Sequence, residues 1–128
     1  MNERRIDALL VTDINNIFYL SGFTGSTAAV IATSDDLHIL VDPRSSVQAR
    51  AECAQARVHD FSGKSTVAAA GELAAGLRSA VLGYEADHLT VAAFRLLRKT
   101  LGSSVRVRST SGLVATLRRV KDEHELSL

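Results

Sequence analysis

The sequence predicts an α/β domain of three layers, α/β/α, around a mixed sheet of about five to six strands. Three observations predict it. Short apolar runs carrying β-branched residues recur along the chain, as in IDALLVT and LHILVD. In the second half such runs alternate with stretches of helical spacing, the rhythm of parallel strands joined by helices. Near the start, two strand-like runs are separated only by Ser34-Asp35-Asp36, a hairpin signal that makes the sheet mixed.

Taken in order, IDALLVT (6–12) reads as a buried strand. Asp13 is placed to cap a short helix carrying Ile17, Phe18 and Leu20. That helix runs into GFTGS, where Gly22 and Gly25 mark a tight connection. TAAVIAT (27–33) and LHILVD (37–42) are the hairpin strands. Pro43 then stands where a first helical turn tolerates it, ahead of a helix in RSSVQARAECAQ. RVHDF (57–61) is the fourth strand. Helix TVAAAGELAAGLRSA, strand VLGYE, helix TVAAFRLLRKTL, strand VRVRS and a short helix around GLVATLRR complete the chain. No repeat, low-complexity tract or linker divides it.

Composition bounds the function. The 128 residues make one domain, and an apolar fraction of 46% with 23% charged residues is that of a globular chain. Trp is absent, so Ala, Val and Leu must fill the core. A net charge of +1 gives no bulk attraction to nucleic acid or a membrane. The basic clusters RLLRK (95–99) and LRRVK (117–121) have helical spacing without interleaved aromatics, so they read as solvated helix faces. The one cysteine, Cys53, excludes an internal disulfide and fits a reducing compartment. With neither a signal peptide nor an apolar run of membrane-spanning length, the expectation is a soluble, cytoplasmic protein.

Three motifs suggest chemistry and fail on spacing. Gly63-Lys64-Ser65 in DFSGKST follows a strand as a phosphate loop would, but that loop needs a further glycine where Val58 stands. A strand-to-helix turn capped by Ser62 or Ser65 is expected instead. Asp42, at a strand tip, has the place of a phosphoaccepting aspartate, yet only Asp13 follows the first strand and Tyr84-Glu85 replaces the required lysine. His38, His59, His88 and His124 show no helical metal-site spacing; the first two lie within strands, where a structural or solvent-facing role is expected. The terminal Asp122-Glu123-His124-Glu125 looks like a ligand set. However, Asp122 and Glu125 form a capping box, and successive side chains about 100° apart on a helix do not converge on one ion.

Several segments together carry a resemblance. DALLVTDINNIFYLSGFTGS, then LHILVDPR, then RRVKDEHEL, resemble the amino-terminal domain of the creatinase and Xaa-Pro peptidase family, which includes aminopeptidase P and prolidase. The N-I-x-Y-L-S-G-F-x-G-S stretch (16–26), the D-x-R element Asp42-Pro43-Arg44 and the segment from Arg118 or Arg119 to Leu126 carry it. Ser45 departs from the Tyr that many members have after the arginine, and only Met1–Arg5 precede the first strand.

The resemblance implies the creatinase N-terminal, ribonuclease H-like fold over 1–120. It also implies that 121–128 begin a linker helix into a following "pita-bread" metallopeptidase domain. The family's two divalent metal ions, often manganese, bind in that second domain, so no catalytic or metal residue maps onto this sequence. The 128 residues are therefore expected to be inactive alone. The implied role is a homodimer contact and a wall of the cleft for proline-containing peptides, with Phe23, Thr24 and Arg44 as contact candidates. The alternatives at those positions are local: Arg44 pairing with Asp42, and Phe23 packing under the sheet. Two other readings share the architecture, a protein-binding module from a metal-free relative and a creatinase-type amidinohydrolase.

Overall fold

The computed structural model describes residues 6–110, apart from 26, 35, 78–80, 86–88 and 104. The helix expected around GLVATLRR, the linker helix with its capping box, and Asp87-His88 lie outside the described residues.

Strand β1 (Ala8–Val11) is buried at all four positions, as an unbroken apolar run between two covered faces must be. Asp13 ends the run and starts helix α1 (Ile14–Ser21), its carboxylate accepting from the Asn15 N–H at 2.9 Å. The helix stops at Gly22, whose φ of +84° is the left-handed conformation glycine adopts without strain. Strands β2 (Ala28–Thr33) and β3 (Leu37–Val41) form the predicted hairpin, closed where the Asp36 N–H donates to Thr33 Oγ1 at 2.9 Å.

After Pro43 the structure departs from a continuous helix. A 3-10 turn over Pro43–Ser45 is held by the Asp42 carboxylate, which accepts from the Ser45 N–H at 3.1 Å. Helix α2 (Ser46–Glu52) follows and ends three residues short of the predicted stretch, because Cys53 leaves helical geometry at φ −114°, ψ 58°. Strand β4 (Arg57–Asp60), helix α3 (Thr66–Gly76), strand β5 (Val81–Glu85), helix α4 (Val91–Leu101) and strand β6 (Arg106–Thr110) complete the described chain. Ser65 and Thr90 cap α3 and α4 through their hydroxyls.

Among the described residues the sheet has six strands in the order β4-β3-β2-β1-β5-β6. Only β2 runs against its neighbours. Side chains alternate across the sheet, so each strand feeds two cores. On one face Leu9, Val11, Val30, Ile39 and Val41 pack with Ile17 of α1 and Ala49 of α2. On the other Leu10, Ile31, Leu40 and Leu82 pack with Ala70 and Ala74 of α3 and Leu97 and Leu101 of α4. The three-layer mixed architecture is the one the alternation of runs predicts. Alanine and glycine do the close fitting: a Cβ on Gly71 would lie 2.8 Å from the Thr100 Cβ, so α3 and α4 meet there without a side chain between them.

Candidate functional site

Five of the six strands run in one direction, so their carboxyl ends collect at one rim of the sheet. In open sheets of this kind that rim is where ligands and partners are met. Asp13, Asp42-Pro43-Arg44, Asp60-Phe61 and Glu85 stand there, each just past or at the end of its strand. The loop from Gly22 leads back to the same rim, since Ala28 opposite Val41 opens β2.

Glu85 fixes the first connection at this rim. One of its carboxylate oxygens accepts from the Thr12 N–H at 2.7 Å and the Asp13 N–H at 3.1 Å. The other accepts from Asn16 Nδ2 at 2.7 Å. A residue at the end of β5 therefore accepts from the amides of the turn between β1 and α1.

Of the three candidates drawn from the sequence, Phe23 is fully buried in the core shared with Ile17 and Val30. Its ring lies directly against Gly25, leaving no room for a Cβ there. Its side chain is thus an anchor for the loop, in keeping with the local alternative, and the loop surface passes to its neighbour. Thr24 is exposed and tied to α2: Glu52 accepts from the Thr24 N–H at 2.9 Å and from its hydroxyl at 2.8 Å. Gln48 Nε2 donates to Thr24 Oγ1 at 2.9 Å and completes the triangle. The Thr24 N–H, with its hydroxyl and Gln48, holds the Glu52 carboxyl below the usual glutamate range. Arg44 projects with 91% of its side chain exposed, at 3.5 Å from the Asp42 carboxylate. A pair this long and exposed contributes little, leaving the guanidinium available for an external acid.

The discarded motifs have structural work. Lys64 pairs with Glu72, its ammonium 2.7 Å from one carboxylate oxygen and 2.9 Å from the other, and Ser65 caps α3. Asp42 is committed to the 3-10 turn. Cys53 is buried, which pushes its thiol pKa up and makes it a poor nucleophile. His38 and His59, apart in sequence, meet: Nδ1 of one lies 3.0 Å from Nε2 of the other. Burial lowers the basicity of both rings, with the neighbouring His59 adding to the effect on His38 and Arg57 and Arg50 on His59.

Sequence reasoning missed this histidine pair, the tether of Thr24 to Glu52 and Gln48, and the Glu85 clamp, all of which depend on contacts between distant segments. It also missed an open groove of about 600 Å³ beside α1, lined by Phe18, Tyr19, Leu37, Glu52, Gln55 and Ala56. Phe18 is 54% exposed there. Among the described residues no three His, Cys, Asp or Glu side chains converge on a common point. No helix among the described residues is long and apolar enough to cross a membrane.

No curated protein sequence matches the chain. Among solved structures, the N-terminal domain of the cytoplasmic peptidase PepQ from Mycobacterium tuberculosis superposes with a TM-score of 0.81 at 29% identity, covering 88% of this chain and 87% of that one. A creatinase/prolidase-like N-terminal domain from Corynebacterium diphtheriae gives 0.77 at 34% identity, with 87% of each chain covered. An Xaa-Pro dipeptidase from Bacillus anthracis shares the fold, with a TM-score of 0.83 at 24% identity over 91% of this chain. The present chain spans only 32% of that protein's length. The family model described as the Creatinase/Prolidase N-terminal domain matches residues 1–120. The chain belongs to that family.

Proposed function

We propose that this domain is the non-catalytic amino-terminal part of a cytoplasmic dinuclear-metal peptidase that cleaves proline-containing peptides. In this reading it serves a homodimer contact and walls the substrate cleft. The observation that carries the reading is the match along residues 1–120 to a domain whose solved relatives are N-terminal pieces of peptidases. The metal ions, manganese in this reading, are held by the domain that follows, and their chemistry is activation of water for attack on the bond before proline. What this chain supplies is surface. Arg44 offers a guanidinium fork suited to a peptide carboxylate or a neighbouring subunit's acid. Thr24 presents a loop held in one position by Glu52 and Gln48.

The test compares the 128-residue chain with the longer reading frame that contains it. With manganese and an Ala-Pro substrate, the longer protein is expected to turn over and the 128-residue chain is not. Arg44→Ala in the longer protein should raise KM or shift the dimer to monomer in light scattering, with the fold intact by circular dichroism. Turnover by the short chain would overturn the division of labour. A longer protein that binds no metal would favour a protein-binding module.

A further inference from the structure

We propose that His38 and His59 form a two-nitrogen binding site for a divalent transition ion of the nickel(II) or copper(II) kind, at the β4 edge of the sheet. Strands β3 and β4 are parallel, with His38 opposite Arg57 and Leu40 opposite His59, so both imidazoles stand on the same face. Their nitrogens are 3.0 Å apart, with ring centroids 5.2 Å apart and ring planes tilted by 33°. Two metal–nitrogen bonds of about 2.0–2.1 Å drawn to nitrogens so spaced enclose an angle of about 95° at the ion. That is close to the right angle between adjacent ligands in square-planar or octahedral coordination, and well under the tetrahedral angle. The spacing therefore favours nickel(II) or copper(II) over zinc.

The surroundings favour a neutral donor pair. Burial makes both rings weak bases, and Arg57 beside them, with Arg50 near His59, opposes protonation and a bound cation alike, a charge that the pairs Arg57–Asp36 and Arg50–Asp60 offset. Asp36 acts the other way on His38, but its carboxylate is engaged by Arg57 Nε at 3.3 Å. Asp60 nearby faces Arg50 at 4.0 Å. His38 is buried and so pre-positioned, whereas His59 is only partly covered and leaves an approach from solvent. In the metal-free protein one ring donates its N–H to the other. On loading, that proton moves to the far nitrogen of the same ring and both facing lone pairs turn to the ion, so no net proton is released. Among the described residues no third ligating side chain joins the pair, so water fills the remaining positions. Manganese, weakest in the divalent series for nitrogen donors, is the wrong ion for this site.

The experiment is calorimetric titration of the chain with nickel chloride near neutral pH, followed by copper(II) electron paramagnetic resonance. The expected result is one equivalent bound with micromolar affinity, a raised melting temperature, and a copper spectrum with coupling to two imidazole nitrogens. His59→Ala, at the less buried ring, should weaken nickel binding about tenfold or more. A His88→Ala/His124→Ala double variant should bind as the parent does, and manganese should give no heat. Equal nickel affinity in the parent and in His59→Ala would overturn the proposal, as would a copper spectrum lacking imidazole coupling. Should His38→Ala fail to fold, the His59 comparison and the spectrum still decide.

Discussion

Glu52 lies at the surface, yet its two oxygens decide where the loop through Thr24 rests. Its carboxyl pKa is lowered in the folded chain, first by the Thr24 N–H. A carboxylate so shifted stabilises the fold at pH values above its ordinary pKa of 4.5, and that contribution fades as the pH falls through the lower folded value. The expected outcome is that parent and Glu52→Gln melting temperatures differ at neutral pH and draw together in acid. Faster amide exchange at Thr24 should accompany the substitution. The tight connection was legible in Gly22 and Gly25, and Phe23, Thr24 and Arg44 were named as candidates from position alone. Their fates were not legible: whether Phe23 turns inward is set by Gly25, and Thr24 finds its partner 28 residues away on another element.

Elements were legible where local chemistry starts or stops them. Asp13, Ser65 and Thr90 each stand before an apolar helical pattern, and each caps a helix. The stretch after Pro43 misled because its composition suits a helix, while the Asp42 carboxylate draws the first residues into a tighter turn. Register was not legible at all, and the histidine pair depends on it. The meeting of α3 and α4 gives a prediction at this scale. Gly71→Ala would set a Cβ 2.8 Å from the Thr100 Cβ and force the helices apart, at a cost of about 1–3 kcal/mol in urea unfolding despite alanine's higher helix propensity.

In the whole molecule two cores lie on opposite faces of one sheet, and β1 serves both, with Leu9 and Val11 on one side and Leu10 on the other. Neither core can dissolve without exposing the strands that hold the other. Unfolding is therefore expected to be a single cooperative event. The sequence supplies clean reporters, because Trp is absent and there are two tyrosines. Tyr19 sits on α1, while Tyr84 packs against Phe94 of α4 on the other face, with ring centroids 5.1 Å apart. Tyr19→Phe and Tyr84→Phe variants each leave one fluorophore on one side. Their urea transitions should coincide with each other and with far-ultraviolet circular dichroism; midpoints that separate would mean two independently melting halves.

The single reversed strand has a further consequence. Because β2 alone runs backwards, the polypeptide climbs through β1, β3, β4, β5 and β6 in the same sense and leaves β6 at Thr110 on the rim that holds Arg44 and Glu85. Direction of travel thus acts as an address. The residue that closes any of these five strands, from Val11 to Thr110, is thereby delivered to the rim where the domain presents its arginine.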